Sequence, residues 1–414
     1  MSTTTARRTD AAHPTPLRGR PAVLSVTLGI FAVVTTEILP IGLLTPIGAD
    51  FAVADGTAGL MMTMPGLLAA VAAPVVTLAT ARADRRLMLA AFVLLLAVAN
   101  FLTAAATAYW VVLVARVLVG ITIGGFWSIG AGLAGRLVPA PSAARATAVV
   151  FAAVPLGSVL GVPAGTLIGD LAGWRTAFVT MGLLSTGVLA LLLLTLPALP
   201  PERVTRPAVL HALLRRPDTR FALLMTFLVV LAHFGTYTYV TPLLRETTHA
   251  GPGMITGFLL VYGAAGVAGN FLGGALVTRR PRTAFAAAAA TIAAATALLP
   301  VLGRSEAGAL ALLVLWGLGY GAVPVCSQTW FTRAAPGAPE AASVLFTASF
   351  QATIAAGALA GGYVVDHASL HAVMWLGAAT ALLVVLAAPV HFLRTGQRPW
   401  VASARRGARP SSGR

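Results

Sequence analysis

Long apolar runs, recurring almost from one end of the chain to the other, constrain this sequence more than any other feature. They lie at about residues 22–47, 56–80, 86–106, 109–136, 144–169, 174–196, 219–243, 253–278, 283–303, 307–333, 340–364 and 370–393. Each is long enough to cross a hydrocarbon core ~30 Å thick as a helix rising about 1.5 Å per residue. Lipid offers no water to backbone N–H and C=O groups, so a chain of such runs is restricted to helices packed on one another. Composition agrees: 58% of the residues are hydrophobic, 10% are charged, and the mean hydropathy is +0.87. These values belong to the integral membrane class. The sequence predicts an all-α membrane protein with twelve transmembrane helices.

A formal charge of +16 raises the question of a nucleic-acid partner, and its distribution argues against one. Every basic residue is Arg, and these gather in alternate breaks between the runs. They fall in the segment before Pro21, at Arg82–Arg86, at Arg136 and Arg145, at Arg203–Arg220, at Arg279–Arg282, at Arg333 and after Pro389. The intervening breaks carry only Arg175, Arg245 and Arg304. This is the positive-inside bias, and it places both termini in the cytoplasm. The charge then answers to anionic headgroups rather than to nucleic acid. A lone cysteine, Cys326, excludes an intramolecular disulfide. The first run is too long, and too acidic at Glu37, for a cleaved signal, so it reads as a retained anchor. Arg-only, Ala-rich usage suggests a GC-rich bacterial genome and hence the bacterial cytoplasmic (inner) membrane. No cofactor or metal is expected, and the chain is expected to work as a monomer.

The chain reads as a duplicated half. Leu43-Leu44-Thr45-Pro46 matches Tyr239-Val240-Thr241-Pro242, Arg136-Leu-Val-Pro139 matches Arg333-Ala-Ala-Pro336, and Asp170 matches Asp366. The offset is nearly constant at about 196 residues, the signature of an internal repeat. Parallel repeats about an axis normal to the membrane are a known transporter architecture. The expected division is a cytoplasmic N-tail at 1–21, a six-helix bundle at 22–196, a cytoplasmic linker at 197–218, a second six-helix bundle at 219–393 and a basic tail at 394–414.

Within this frame one acid stands out. Glu37 falls deep in the first run, where a charge costs roughly 2.5 kcal/mol or more. Pro40, one turn on, removes the backbone bond to the carbonyl of Thr36 and loosens the helix beside the acid. Glu37 is therefore the candidate proton site, with a structurally neutralised carboxylate as the alternative. The repeat offset sets His233, deep in the seventh run, opposite Glu37; it is expected to tune the acid or bind substrate, with a neutral, hydrogen-bonded imidazole as the alternative. Arg116 is the basic residue deep within a span. At about 1.5 Å per residue Glu37 lies roughly 15 Å, and Arg116 about 10 Å, from the same membrane face, which puts them within side-chain reach. A purely structural tie is the alternative for Arg116.

Several motifs coincide, and through them the chain resembles the major facilitator superfamily, within its twelve-span drug:proton antiporter group. They are Glu37-Ile-Leu-Pro-Ile-Gly-Leu-Leu-Thr-Pro46, Asp84-Arg85-Arg86, Arg116-Val-Leu-Val-Gly120, Gly124-Gly125-Phe126-Trp127, Arg136-Leu-Val-Pro139 and Gly173-Trp174-Arg175, with Val323-Pro-Val325 and Thr329-Trp330-Phe-Thr-Arg333 in the second half. The wording is closest to purine ribonucleoside efflux pumps, with sugar-efflux (arabinose-permease-like) transporters behind them. The resemblance implies the major facilitator fold, with two pseudo-symmetric six-helix bundles. It also implies a gating role for the loop carrying Asp84, Arg85 and Arg86 and for its second copy at Arg279 and Arg280. That loop lacks the family's glycines, and the second copy has Thr278 where Asp is usual. Gly157, Gly161, Pro163 and Gly165 resemble the group's antiporter motif; on physical grounds alone they form a packing surface.

Polar and aromatic interruptions of the spans supply candidates for a substrate cavity: Trp127, Tyr237, Asn270, Gln328 and Gln351, with Trp330 beside them. Amides and flat rings suit a neutral, planar, hydrogen-bonding molecule, though each such residue has a bland role as a helix bridge or interface aromatic. The implied function is proton-coupled efflux of a small polar molecule, purine ribonucleosides first among them, by alternating access. Multidrug or sugar efflux by the same mechanism, and then proton-driven uptake, are the alternatives. A membrane enzyme is disfavoured: no Gly-x-Ser-x-Gly turn stands near a deep His, and neither His-Glu-x-x-His nor a phosphate-binding Gly-x-x-x-x-Gly-Lys occurs.

Overall fold

In a computed structural model, residues 16–79, 83–130, 133–200, 207–334 and 339–394 are described. Twelve long helices among them are long and apolar enough to cross a membrane. They are α1 (Pro16–Asp50), α2 (Leu60–Ala79), α3 (Arg85–Ala104), α4 (Tyr109–Gly130), α5 (Ala143–Ala172), α6 (Trp174–Thr195), α7 (Pro217–Tyr237), α8 (Pro252–Arg279), α9 (Pro281–Leu302), α10 (Glu306–Ala334), α11 (Pro339–His367) and α12 (Leu370–Arg394). Large apolar side chains such as Leu194 and Phe271 lie largely exposed on the outside, an arrangement stable in lipid and costly in water.

Local chemistry explains the breaks. Asp84 caps α3, accepting the Arg86 N–H at 2.8 Å. Pro217, Pro252 and Pro281 sit at the first turns of α7, α8 and α9, where a missing N–H costs nothing. Gly173 joins α5 to α6 at φ +84, a backbone conformation that side chains resist. Two expected runs are interrupted. The second is divided at Gly59 into a short helix, Asp55–Ala58, and α2. The seventh ends at Tyr237 and resumes as a short helix, Val240–Thr247. Pro242 cannot donate to the Thr238 carbonyl, and Tyr239 turns out of the helical line at φ −107, ψ 17.

The packing repeats in the two halves. α1 lies on α5 as α7 lies on α11; α2 lies on α4 as α8 on α10; α3 lies on α6 as α9 on α12. Between the halves the main contacts are α2 with α11 and α5 with α8, which exchange under the same symmetry. Two pseudo-symmetric six-helix bundles result.

At the end of the molecule that carries Asp50 the halves meet closely. The Asp366 carboxylate of α11 accepts the Gly56 N–H at 2.8 Å and the Thr57 hydroxyl at 3.4 Å. The Tyr239 hydroxyl donates to the Ala358 carbonyl at 2.8 Å and lies against Gly59 and Gly362. Burial, helped by nearby carboxylates, pushes this phenol up, so it stays a donor. Thr241 donates to the Ile41 carbonyl at 3.0 Å. The Asp366 and Thr241 bonds join the two bundles at that end, and the Tyr239 ring packs across the same junction against Gly59.

Candidate functional site

Glu37 lies midway along α1, buried. Its carboxylate accepts the Gln351 side-chain N–H at 3.0 Å. Gln351 belongs to α11, so this bond joins the two halves inside the membrane. It sits where α2 meets α11 closely: a Cβ on Gly66 would lie 2.6 Å from the Gln351 main-chain carbonyl oxygen. The amide oxygen of Gln351 is buried with no hydrogen-bond partner, as are the hydroxyls of Thr35 and Thr63. The interface thus presents a carboxylate and an open amide acceptor side by side.

Arg116, on α4, is fully buried and reaches α1 at the level expected. Its atoms go elsewhere than the sequence suggested. Nη1 and Nη2 donate to the Thr36 carbonyl at 3.1 and 2.9 Å, Nη2 makes a longer contact of 3.4 Å with the Glu37 carbonyl, and Nε donates to the Met61 carbonyl at 3.1 Å. The guanidinium holds main chain, and Gln351 holds the carboxylate. Thr36 is tied a second time, its hydroxyl accepting from Asn100 of α3 at 3.2 Å.

His233 is hydrogen-bonded inside the second half, apart from the Glu37 carboxylate. The partner Glu37 meets across the interface is Gln351, while His233 sits in an aromatic cage inside the second half. Its ring stacks on Tyr320 at 3.3 Å between centroids and 6°, and on Tyr237 at 5.0 Å and 19°. Tyr262 lies parallel at 6.5 Å, and Phe234 meets it edge-on at 4.9 Å. The Trp316 indole N–H donates to His233 Nδ1 at 3.1 Å. Indole is a donor only, so Nδ1 must be the acceptor and a neutral ring carries its proton on Nε2. Tyr320 thus forms one wall of the cage, stacked on His233.

The other candidates are more scattered. Tyr237 belongs to the cage. Trp127 is half-buried against the core of the first half. Asn270 is half-buried on α8, two turns beyond Gly263, whose Cβ would lie 2.9 Å from the Val159 Cα of α5; Asn270 therefore follows the stripe that faces the other half. Gln328 is exposed on α10. Trp330 packs between Phe221 and Phe285.

Gly157, Gly161 and Gly165 form a ridge against α1, where added Cβ atoms would meet Val34 at 3.0 Å, Ile38 at 3.2 Å and Leu39 at 2.6 Å. Gly169 extends the ridge against Leu43, and Pro163 is buried within it. The ridge thus backs the turn of α1 that carries Glu37. Asp84 binds the start of the linker, its carboxylate also accepting the Leu199 N–H at 3.1 Å. The Arg85 N–H donates to the Leu199 carbonyl at 3.0 Å, and Arg86 donates to the Leu193 carbonyl. Arg280 is exposed at the junction of α8 and α9, and Arg279 ends α8.

Sequence reasoning missed Tyr262, Trp316 and Tyr320. Their signal was present in the repeat: each stands about 196 residues after a glycine, Gly66, Gly120 or Gly124, so the second half carries a ring where the first packs helix closely on helix through glycine. Asn100 was also missed, although an amide in mid-span is itself a cue.

A family profile, that of the Major Facilitator Superfamily, matches residues 26–344. The chain belongs to the major facilitator superfamily. Members of this family are membrane transporters of small molecules. The chain is 30% identical over 365 residues to the purine ribonucleoside efflux pump NepI of Escherichia coli (strain K12), an alignment covering 88% of this chain and 92% of that protein. It matches the Shigella flexneri pump of the same name to the same extent. Among solved structures, a bacterial homologue of the human lysosomal transporter Spinster superposes with a TM-score of 0.73 at 18% identity, covering 93% of this chain and 98% of that one. The human organic anion transporter MFSD10 superposes with a TM-score of 0.64 at 18% identity, covering 89% and 99%. These two share the major facilitator fold.

Proposed function

We propose that this protein is a proton-coupled exporter of a small planar polar molecule, purine ribonucleosides first, acting by alternating access across the bacterial cytoplasmic membrane. The observation that carries the reading is the Glu37–Gln351 hydrogen bond between the halves. A carboxylate accepts N–H donors, whereas its protonated form is a weaker acceptor and carries a donor of its own. One group can therefore hold the halves together, receive a substrate or take a proton, but not all three at once. In the cycle we propose, substrate N–H groups entering from the cytoplasm replace Gln351 on the Glu37 carboxylate and release α11 from α2. The Asp50 end then opens. There a proton reaches Glu37, the pairing with substrate is lost, and the substrate leaves outward. Return of the carrier delivers the proton inside.

The open amide oxygen of Gln351 beside the carboxylate favours a substrate with at least two donors. The N1–H and exocyclic amine of guanine have that chemistry, hypoxanthine keeps only the N1–H, and the named activity of the 30% identical relatives supports a purine ribonucleoside. Sidedness rests on the arginine distribution, which assigns the Asp50 end to the outside. The division into functional units at residues 22–196 and 219–393 is part of the same proposal.

The test is transport into inside-out vesicles with an acidic lumen, using labelled inosine and guanosine beside a cationic dye and a pentose. Accumulation of the nucleosides that collapses with the pH gradient is expected. Accumulation of dye or sugar alone would overturn the substrate, and accumulation indifferent to the gradient would overturn the coupling. Nucleoside uptake into right-side-out vesicles driven by external acid would make the protein an importer.

A further inference from the structure

Two of the three carbonyls that Arg116 touches, the two at short distance, share a feature that the third, the 3.4 Å contact with Glu37, lacks. Pro40 has no N–H, so the Thr36 carbonyl four residues before it loses its helical donor. Pro65 does the same to the Met61 carbonyl of α2. Arg116 bonds both: Nη1 and Nη2 serve Thr36 and Nε serves Met61. Each orphaned carbonyl would otherwise be buried in an apolar interior without a donor, a costly arrangement. We propose that Arg116 is a positioning residue that substitutes for the two backbone donors missing at Pro40 and Pro65. The three residues act as one staple that holds α1 and α2 beside Glu37 through main-chain carbonyls.

The second half supplies an internal control. At the positions of Pro40 and Pro65 it has Thr236 and Val261, and at that of Arg116 it has leucine, Leu312 or Leu313. There is no proline inside α7, and the Thr236 hydroxyl donates to the Ala232 carbonyl, the counterpart of Thr36, at 2.8 Å. Breaks and guanidinium are present together in one half and absent together from the other. A planar fork with several N–H groups meets two carbonyls on different helices at once, which a lysine ammonium on a flexible stem does not reproduce. The staple leaves the α1 backbone fixed while the Glu37 side chain stays available to exchange partners.

The inference goes beyond the transport reading and is tested partly without it. Purified protein carrying Arg116→Leu, Arg116→Lys, the pair Pro40→Thr and Pro65→Val, or all three changes with Leu at 116 is melted and followed by tryptophan fluorescence. Arg116→Leu and Arg116→Lys are both expected to lower the melting temperature and the yield of monodisperse protein. The triple variant is expected to recover most of that loss. Losses that simply add, or Arg116→Lys as stable as wild type, would overturn the staple. Substrate-driven proton release against pH is the second readout, and the triple variant is expected to recover it with the wild-type midpoint. A triple variant that is well folded but silent, or shifted in midpoint, would show that Arg116 acts on the proton itself. If wild type also releases no protons, the transport reading fails and the melting cycle still decides the staple.

Discussion

Replacing Gly66 by alanine should open the Asp50 end of the protein without touching Glu37. The new Cβ would stand 2.6 Å from the Gln351 carbonyl oxygen and 3.1 Å from both the Cβ and the backbone nitrogen of Ala355. α2 has no room to retreat, because at Gly120 α4 already lies against it so closely that a Cβ there would be 2.5 Å from the Pro65 carbonyl. α11 must therefore move by about 0.6 Å to restore even a tight contact, and overpacking of this kind costs about 1–3 kcal/mol. The same displacement stretches the 3.0 Å Gln351–Glu37 bond towards ~3.6 Å, beyond useful hydrogen-bond range. A net bias of about 2 kcal/mol against the closed arrangement shifts the equilibrium roughly 30-fold. Spin labels at Ala54 and His367, both exposed at the Asp50 end and on opposite halves, report the change once Cys326 is replaced by serine. Double electron–electron resonance should show a longer distance growing at the expense of the short one. Folded Gly66→Ala protein with an unaltered distance distribution would refute the idea that the α2–α11 contact selects this state.

Two smaller perturbations follow from the same contacts. Asp366→Asn removes the negative acceptor facing the Gly56 N–H and the Thr57 hydroxyl; as these groups are partly exposed, the cost should be about 1 kcal/mol. It should lengthen the same label distance, less than Gly66→Ala does. Trp316→Phe leaves His233 Nδ1 buried without its donor, worth about 1–3 kcal/mol. It should lower the melting temperature while His233→Gln, tested beside it, reveals whether the ring has any further role in the pH dependence of transport.

The twelve spans and their pairing into halves were legible because lipid enforces them: a span must be long, apolar and helical, and a duplication leaves a constant offset. Breaks inside spans were less so. Pro46 is carried within α1 while Pro242, its counterpart, sits in the first turn of a short helix just after a break, since neighbouring packing rather than the proline alone decides the outcome. At the site, Glu37 and Gln351 could each be picked out as a polar residue in an apolar run. That they meet depends on α11 packing on α2 closely enough for Gln351 to reach α1, a tertiary fact with no local signature. Depth along the membrane correctly brought Arg116 to the level of Glu37, but a rise per residue does not say which atoms a guanidinium will choose. The prolines did say it, once Thr36 and Met61 were counted as acceptors without donors. The cage around His233 was hidden for the opposite reason: its rings come from α7, α8 and α10, and an aromatic in a membrane span has many ordinary uses.

Proton movement on adding substrate is the most direct test of the account. Proteoliposomes holding a pH dye would receive inosine or guanosine, with wild type compared against Glu37→Gln, which keeps the side chain's size and removes its ability to exchange a proton. The account predicts substrate-induced proton flux in wild type and none in Glu37→Gln, with the variant still folded. A flux that persists in Glu37→Gln would contradict it and move the coupling site away from this carboxylate.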